Sequence, residues 1–388
     1  MTRNETSSKP RRTMMARRLR HLMLLFAATA SRPVIGGQAV IEGVMMRSPK
    51  SFAVAIRRKD GRIVVREEAW LAFAERFPFL KWPILRGATM LVESMYNGLS
   101  ALNFSASEAM EDEAIANGET PEERDPQENL HGGSGKDWGL WIALGTSFIF
   151  GLLLFKALPH FATWGIGEWI GDGTNALPVD SALFHLIDGV IKLSIFVGYI
   201  LAISLMEDVR RLFMYHGAEH MSVHTYEARE ELDVEHTRHR TTAHPRCGTT
   251  LILLVISVSI VMFVAIIPLL PRVSESDLVQ TAFAFVAKIF LMFPIAGVAY
   301  EAQRFAAKRP EAWYVRIFFA PGMLMQKLTT RRPTDPEIEV ALTALRKALW
   351  RENLTTETQT PDQEGNGRKE PEVFYSFGEV KERLEAAA

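Results

Sequence analysis

Residues 215–248 read YHGAEHMSVHTYEAREELDVEHTRHRTTAHPRCG, and their setting decides the fold. The stretch holds six of the chain's ten histidines and its only cysteine, and apolar runs at 182–206 and 250–270 bracket it. Two further apolar runs lie at 138–158 and 279–299. Each run has about 20 residues or more, which at about 1.5 Å per helical residue crosses roughly 30 Å of hydrocarbon. The histidine-rich stretch is therefore expected to connect two of about four transmembrane helices. The predicted fold class is mainly α: a polytopic helical membrane protein with a small cytoplasmic N-terminal α+β unit. Charge sets the orientation. Residues 160–180 contain no Lys or Arg and 271–278 contain only Arg272, whereas 207–249 contain Arg210, Arg211, Arg229, Arg238, Arg240 and Arg246. The positive-inside rule then places the histidine-rich loop 207–249 and both termini in the cytoplasm.

Both ends of the quoted stretch carry metal-binding residue types. His216-Gly-Ala-Glu219-His220 is H-x-x-E-H, which on a helix sets two imidazoles one turn apart on one face, with Glu219 beside them. That is the reversed zinc-protease pattern, two His on the metal and Glu as base. Glu227 lies eleven residues after His216, close to three whole turns, and suits either a ligand or an acceptor that orients an imidazole. His244 and Cys247 offer an imidazole and a thiolate at i and i+3, both accepted by zinc. The candidate metal set is thus His216, His220, His244, Cys247 and Glu227, with Glu219 as candidate general base. The competing reading is a polar loop with scattered histidines, and His236 and His239 fit it as members of a solvated charged run.

YHGAEH, HPRCGTT and the upstream GGQAVIEGVMMR (36–47) resemble the YqhQ family of bacterial membrane proteins, as do IAGVAYE (295–301) and PGMLMQKLTTRRP (321–333). The resemblance covers most of residues 34–350. It implies a bacterial inner-membrane protein of unknown function, often catalogued as a metal-dependent enzyme, and supplies no substrate. The two ends and the acidic stretch near 110–135 depart from it. Within the upstream motif Glu42 and Arg47 carry the chemistry. Glu42 is read either as pairing with Arg47 across a turn or as a second catalytic carboxylate reaching the site.

The remaining chain divides by composition. Residues 1–33 form a basic leader; the run LMLLFAATA ends like a signal cleavage site, but a basic amphipathic segment on the inner membrane surface fits the loop charges better. In 34–110, FAVAIRR and RIVVREE flank Asp60-Gly61 as a β-hairpin, followed by a helix from Trp82 packed at the membrane face. Residues 111–137 read as an acidic linker and 138–306 as the transmembrane domain. Residues 307–352 form a cytoplasmic amphipathic region, with a helix capped by Asp335. Residues 353–388 read as a polar tail with a short helix near 377–387. Lys288, near the middle of the fourth run, is a costly charge without an evident partner.

Composition narrows the function. The chain has 388 residues, 48% hydrophobic, with formal net charge −1, and no nucleic-acid-binding signature. One cysteine excludes an intrachain disulfide framework. The leading expectation is a zinc-dependent hydrolase working beside membrane lipids on the cytoplasmic side. If all four of His216, His220, His244 and Cys247 bind, however, the site is closed to water, and a structural metal in a scaffold or regulator is the alternative. A transporter is disfavoured, since paired broken helices are not evident.

Overall fold

The computed structural model of the chain describes residues 32–69, 77–118, 138–171, 177–179, 181–274, 277–309, 312–357 and 371–386. The chain divides into a leading unit, Met1–Val34, and a second unit, Ile35–Ala388, which carries every element below. The leader expected over 1–33 lies outside the described residues apart from 32 and 33.

The second unit opens with an antiparallel meander: β1 (Gly36–Val40), β2 (Gly43–Arg47), β3 (Ser51–Arg57) and β4 (Ile63–Ala69). The Asp60-Gly61 turn forms as its sequence predicts, with Gly61 at φ 90° and Arg57 opposite Ile63. The sheet is larger than the single hairpin expected. The GGQAVIEGVMMR motif itself supplies β1 and β2, with Gly36 opposite Arg47 and Ile41-Glu42 at the turn. A fifth strand, β5 (Glu372–Phe374), pairs with β4 and places Phe374 opposite Ile63. It comes from the region read as a polar tail. Three residues in a charged setting give no periodic signal, and only docking of Phe374 into the core makes them a strand.

Helices cover both sheet faces. On one, Met45, Phe52, Val54 and Ile56 pack with Ala101 and Phe104 of α1 (Leu85–Ala116). On the other, Val44, Met46, Ala53 and Ala55 pack with α5 (Glu207–Glu227) and α10 (Asp335–Glu357). Successive residues of a strand point to opposite faces, so a sheet covered twice reads as a continuous apolar run, as FAVAI does. α1 runs six residues into the region expected to be an acidic linker, because Arg58 anchors its last turns through Glu108, Glu111 and Asp112. Residues 119–137 lie outside the described residues.

The helical part contains α2 (Trp138–Leu152), a π turn at Leu153–Ala157, α3 (Leu158–Ile170), α4 (Ala182–Ile203), α5, α6 (Val234–Arg238), α7 (Gly248–Ile266), α8 (Asp277–Ala307), α9 (Trp313–Thr329), α10 and finally α11 (Phe377–Ala386). Among the described residues four helical stretches are long and apolar enough to cross a membrane: Gly145–Ile170, Ala182–Ile203, Gly248–Leu269 and Val279–Ala307. They correspond to the four apolar runs. Region 207–249 is no simple loop: α5 fills half of it and α6 follows. Glu207 and Asp208 in the first turn of α5 complement the helix dipole.

α9 lies in the region expected to be amphipathic. Val315, Phe319, Met325, Gln326 and Thr329 are buried and the helix packs on α7, while Trp313, Ile317, Phe318 and Leu324 are exposed on its other side. α10 is capped by Thr334 rather than Asp335. The Glu337 carboxylate accepts from both the Thr334 N–H and its hydroxyl, so a glutamate reaching back to the residue before the helix replaces the single-residue cap predicted.

Candidate metal centre

Two close approaches position the site. A Cβ added to Gly217 would lie 2.1 Å from the Arg331 carbonyl oxygen, so glycine there lets the strand after α9 cross directly over α5. That crossing delivers the Thr329 carbonyl to His216. A Cβ added to Gly37 would lie 2.6 Å from Cγ of Glu219, so β1 lies flat on the Glu219 side chain.

His216 and His220 stand one turn apart on α5, with ring centroids 4.4 Å apart. His216 Nδ1 lies 2.8 Å from the Thr329 carbonyl and His220 Nδ1 lies 2.5 Å from the Thr242 carbonyl. A carbonyl only accepts, so each Nδ1 carries the proton and each Nε2 presents a lone pair. His216 Nε2 lies 3.2 Å from Cys247 Sγ. His220 is 1% exposed, and its Nε2 has no hydrogen-bond partner. Cys247 is the N-cap of α7; its sulfur accepts from the Thr249 N–H at 3.4 Å and meets the Thr249 hydroxyl at 3.0 Å. A helix start complements an anionic ligand. The ligand atoms of His216, His220 and Cys247 all lie within 4.8 Å of one another.

Glu219 completes the group. Its Oε2 is 3.6 Å from His220 Nε2 and 3.9 Å from His216 Nε2. Burial raises its carboxyl to a pKa of about 7, against the lowering influence of His216. Two imidazole lone pairs, a sulfur and a carboxylate thus converge with an orphaned buried acceptor among them. An uncompensated acceptor of this kind is costly, and a cation at the centre satisfies all of these atoms together. The donor set, two nitrogens and a thiol with a carboxylate adjacent, fits zinc.

His244 does not join them. It falls in a second group with His224 and Glu227. Its Nδ1 accepts from the Arg246 N–H at 3.3 Å and its Nε2 faces Glu227 Oε2 at 3.4 Å, so both ring nitrogens are used by the protein. Burial pushes His244 down to about 4, despite the Glu227 hydrogen bond. Glu227 is itself ion-paired with Arg246. Burial opposes its ionisation, but His244 and Arg246 outweigh that and hold the carboxyl below the usual range. Burial also lowers His224, whose Nε2 donates to the Ala243 carbonyl at 2.8 Å. This second group is a hydrogen-bonded buttress under the turn that carries Thr242 and Cys247. Sequence spacing could not separate the two roles, because His244 and Cys247 are three residues apart and differ only in what each meets.

Glu42 is also placed elsewhere. It sits at the β1–β2 turn with φ 53°, accepts from Arg211 at 2.7 Å and from the Tyr215 hydroxyl at 3.3 Å, and so touches the neighbour of His216 rather than the ligand group. Burial raises it, against Arg211 and Tyr215. Arg47 pairs with Glu93 of α1 at 3.3 Å, not with Glu42. His236 is exposed against Asp233, as expected of a solvated run.

The sequence reading missed Gln326. It is fully buried, accepts from the His244 N–H at 2.8 Å, and donates to the His244 carbonyl at 2.8 Å and the Thr250 hydroxyl at 2.6 Å. Gln303 of α8 donates to the Cys247 carbonyl at 3.1 Å. A glutamine inside an otherwise apolar helical face was the available signal for Gln326.

A family profile described as "Protein of unknown function (DUF1385)" matches residues 82–351. The chain belongs to this family. Within the DUF1385 match lie α5, α7, α8 and α9, and with them His216, Glu219, His220 and Cys247; β1 and Gly37 precede it. The uncharacterized protein YqhQ of Bacillus subtilis (strain 168) is 28% identical over 340 residues, which cover 85% of this chain and 96% of the relative. That agrees with the resemblance carried by the five sequence motifs. No solved structure matches.

Proposed function

We propose that the chain is a multi-pass protein of the bacterial inner membrane with a zinc-dependent hydrolytic site on its cytoplasmic side. The convergence of His216 Nε2, His220 Nε2 and Cys247 Sγ within 4.8 Å, with Glu219 beside them, carries the reading. These three atoms hold the ion, which when bound supplies Lewis acidity at neutral pH. Thr329 and Thr242 fix the two imidazoles in the ligating tautomer through their carbonyls. With both His244 nitrogens taken by Arg246 and Glu227, His216, His220 and Cys247 would hold the ion, the three-ligand count of catalytic zinc sites. Glu219, buried beside the two imidazoles, takes a proton at Oε2 and returns it to a leaving group. The arginine-rich 207–249 region and the arginine-poor 160–180 segment support the cytoplasmic placement.

One observation favours the alternative, a structural zinc site in a scaffold or regulator. Glu219 Oε2 is near enough to both imidazoles to serve as a fourth ligand and close the site. The two readings part at Glu219→Gln. On the catalytic reading this variant folds, retains stoichiometric zinc by elemental analysis and fails to complement a deletion strain. On the structural reading it loses zinc and stability together. His220→Ala and Cys247→Ser strip zinc on both. Wild-type protein purified without chelator that carries no metal, and takes up none on titration, refutes both.

A further inference from the structure

A second polar cluster lies among the apolar helices, far from the candidate metal centre. A cavity of about 280 Å³ is lined by Lys156, His160, His185, Asp188 and Lys288, with Leu152, Leu153 and Phe285 at its apolar edge. Lys288 is fifteen residues before Gln303 on α8, about 22 Å along the helix, and Gln303 is the residue that reaches the Cys247 carbonyl. The two sites are therefore separate, the cavity near the middle of the fourth span and the metal centre beyond its C-terminal half.

The charges in this cavity do not balance. Asp188 is matched by Lys192 at 3.1 Å, one turn along α4. Lys156 and Lys288 then stand without a hydrogen bond or ion pair among the described residues, although Lys288 is only 6% exposed. Their contacts are with aromatic faces: both approach the Phe263 ring, at 5.9 and 5.4 Å from its centroid, and Lys156 lies 5.3 Å from that of Phe285. His185 is 3% exposed, and neither of its ring nitrogens has a hydrogen-bond partner. A neutral imidazole carries one N–H, so the wall offers an unused donor beside two unpaired ammonium groups. Buried charges within apolar helices are costly and persist where a ligand or pathway uses them.

We infer that this cavity binds a phosphate oxyanion between Lys156 and Lys288, with His185 donating to it. Basic pockets between membrane helices are suited to anionic headgroups, and lysine acts on phosphate as a point charge. The exposed Leu152, Leu153 and Phe285 give the opening the apolar rim that acyl chains require. A lipid phosphodiester and free phosphate share the recognition chemistry, so the test has an arm for each. Full-length protein in neutral detergent is examined by native mass spectrometry in mixed micelles of phosphatidylglycerol and phosphatidylcholine. Inorganic phosphate is titrated separately against thermal stability.

Selective retention of phosphatidylglycerol, weakened about tenfold or more in Lys288→Met and in Lys156→Met/Lys288→Met, supports the site with a lipid as its source. Stabilisation by inorganic phosphate alone, lost in the same variants, supports it with a soluble source. Lys308→Met, which removes an exposed lysine outside the cavity, should leave both readouts unchanged. Wild-type protein that prefers neither probe overturns the inference. So does an equal loss in Lys308→Met, which reduces the effect to net charge, or a folded double variant that binds like wild type.

Discussion

Gly37→Ala tests whether the sheet holds the Glu219 carboxylate in place. The new Cβ would stand 2.6 Å from Cγ and 2.8 Å from both Cδ and Oε1 of Glu219. Carbon atoms rest at about 3.5–4.0 Å, so β1 or Glu219 must give way by about 1 Å. Glu219 is buried and bounded on its other side by the two imidazoles, which leaves little room to retreat. Overpacking of this kind costs about 1–3 kcal/mol. At roughly 2–4 °C per kcal/mol for domains of 150–250 residues, the melting temperature should fall by several degrees. Gly36→Ala is an internal control one residue away: its Cβ meets nothing within 4 Å, and its effect should stay within about 0.5 kcal/mol. Thermal melts in detergent give the stability, and cobalt(II) absorption titration reads the geometry around Cys247 sulfur. Gly37→Ala should lower the melting temperature and shift the cobalt spectrum, while Gly36→Ala overlays wild type. The cost should also vanish in a Glu219→Ala background, since the clashing atoms are gone. Equal melting of the two glycine variants, or an undiminished Gly37→Ala cost in the Glu219→Ala background, refutes the reasoning.

Two further predictions concern elements around the site. Because burial lowers folded His244 from 6.5 to about 4, the unfolded chain binds its proton first as pH falls. Stability contributed by neutral His244 is complete above pH 6.5, declines between about 6.5 and 4, and is fully lost below; the loss is on the order of 3 kcal/mol. His224 shifts in the same direction and adds to it. Melts across that range should show the decline, shallower in His244→Asn, and an unchanged slope in that variant removes His244 as the cause. Separately, Glu337→Ala removes the acceptor of both Thr334 bonds at the start of α10 and should destabilise by about 1 kcal/mol in denaturant titration, whereas Asp335→Ala should cost less; the reverse order would restore Asp335 as the cap.

Local patterns carried much of the fold. Asp60-Gly61 between two β-rich runs specified its hairpin, and the four apolar runs specified four long helices, because turn chemistry and span length are written within a few consecutive residues. The spacing of His216 and His220 likewise specified one helical face. What escaped was set by partners distant in the chain. β1 and β2 are glycine-rich and form strands because they pack beneath α5. β5 depends on Ile63 for its register. His244 belongs to the buttress because Arg246 and Glu227 claim its nitrogens, a competition that spacing does not record. Glu42 meets Tyr215 and Arg211 instead of the ligand group because its backbone turns at φ 53°.

The sheet layer is assembled from the two ends of the second unit. β1–β4 and α1 are made before the four apolar helices, and α10, β5 and α11 after them. Until residue 374 leaves the ribosome, the β4 edge stays open, and until α10 arrives one sheet face lacks its cover. Contacts that span some 300 residues are slow to close. The apolar helices are therefore synthesised while the early strands still lack part of their cover. It also means that no short contiguous fragment reproduces this layer, because β1–α1, α5 and α10–α11 all contribute to it.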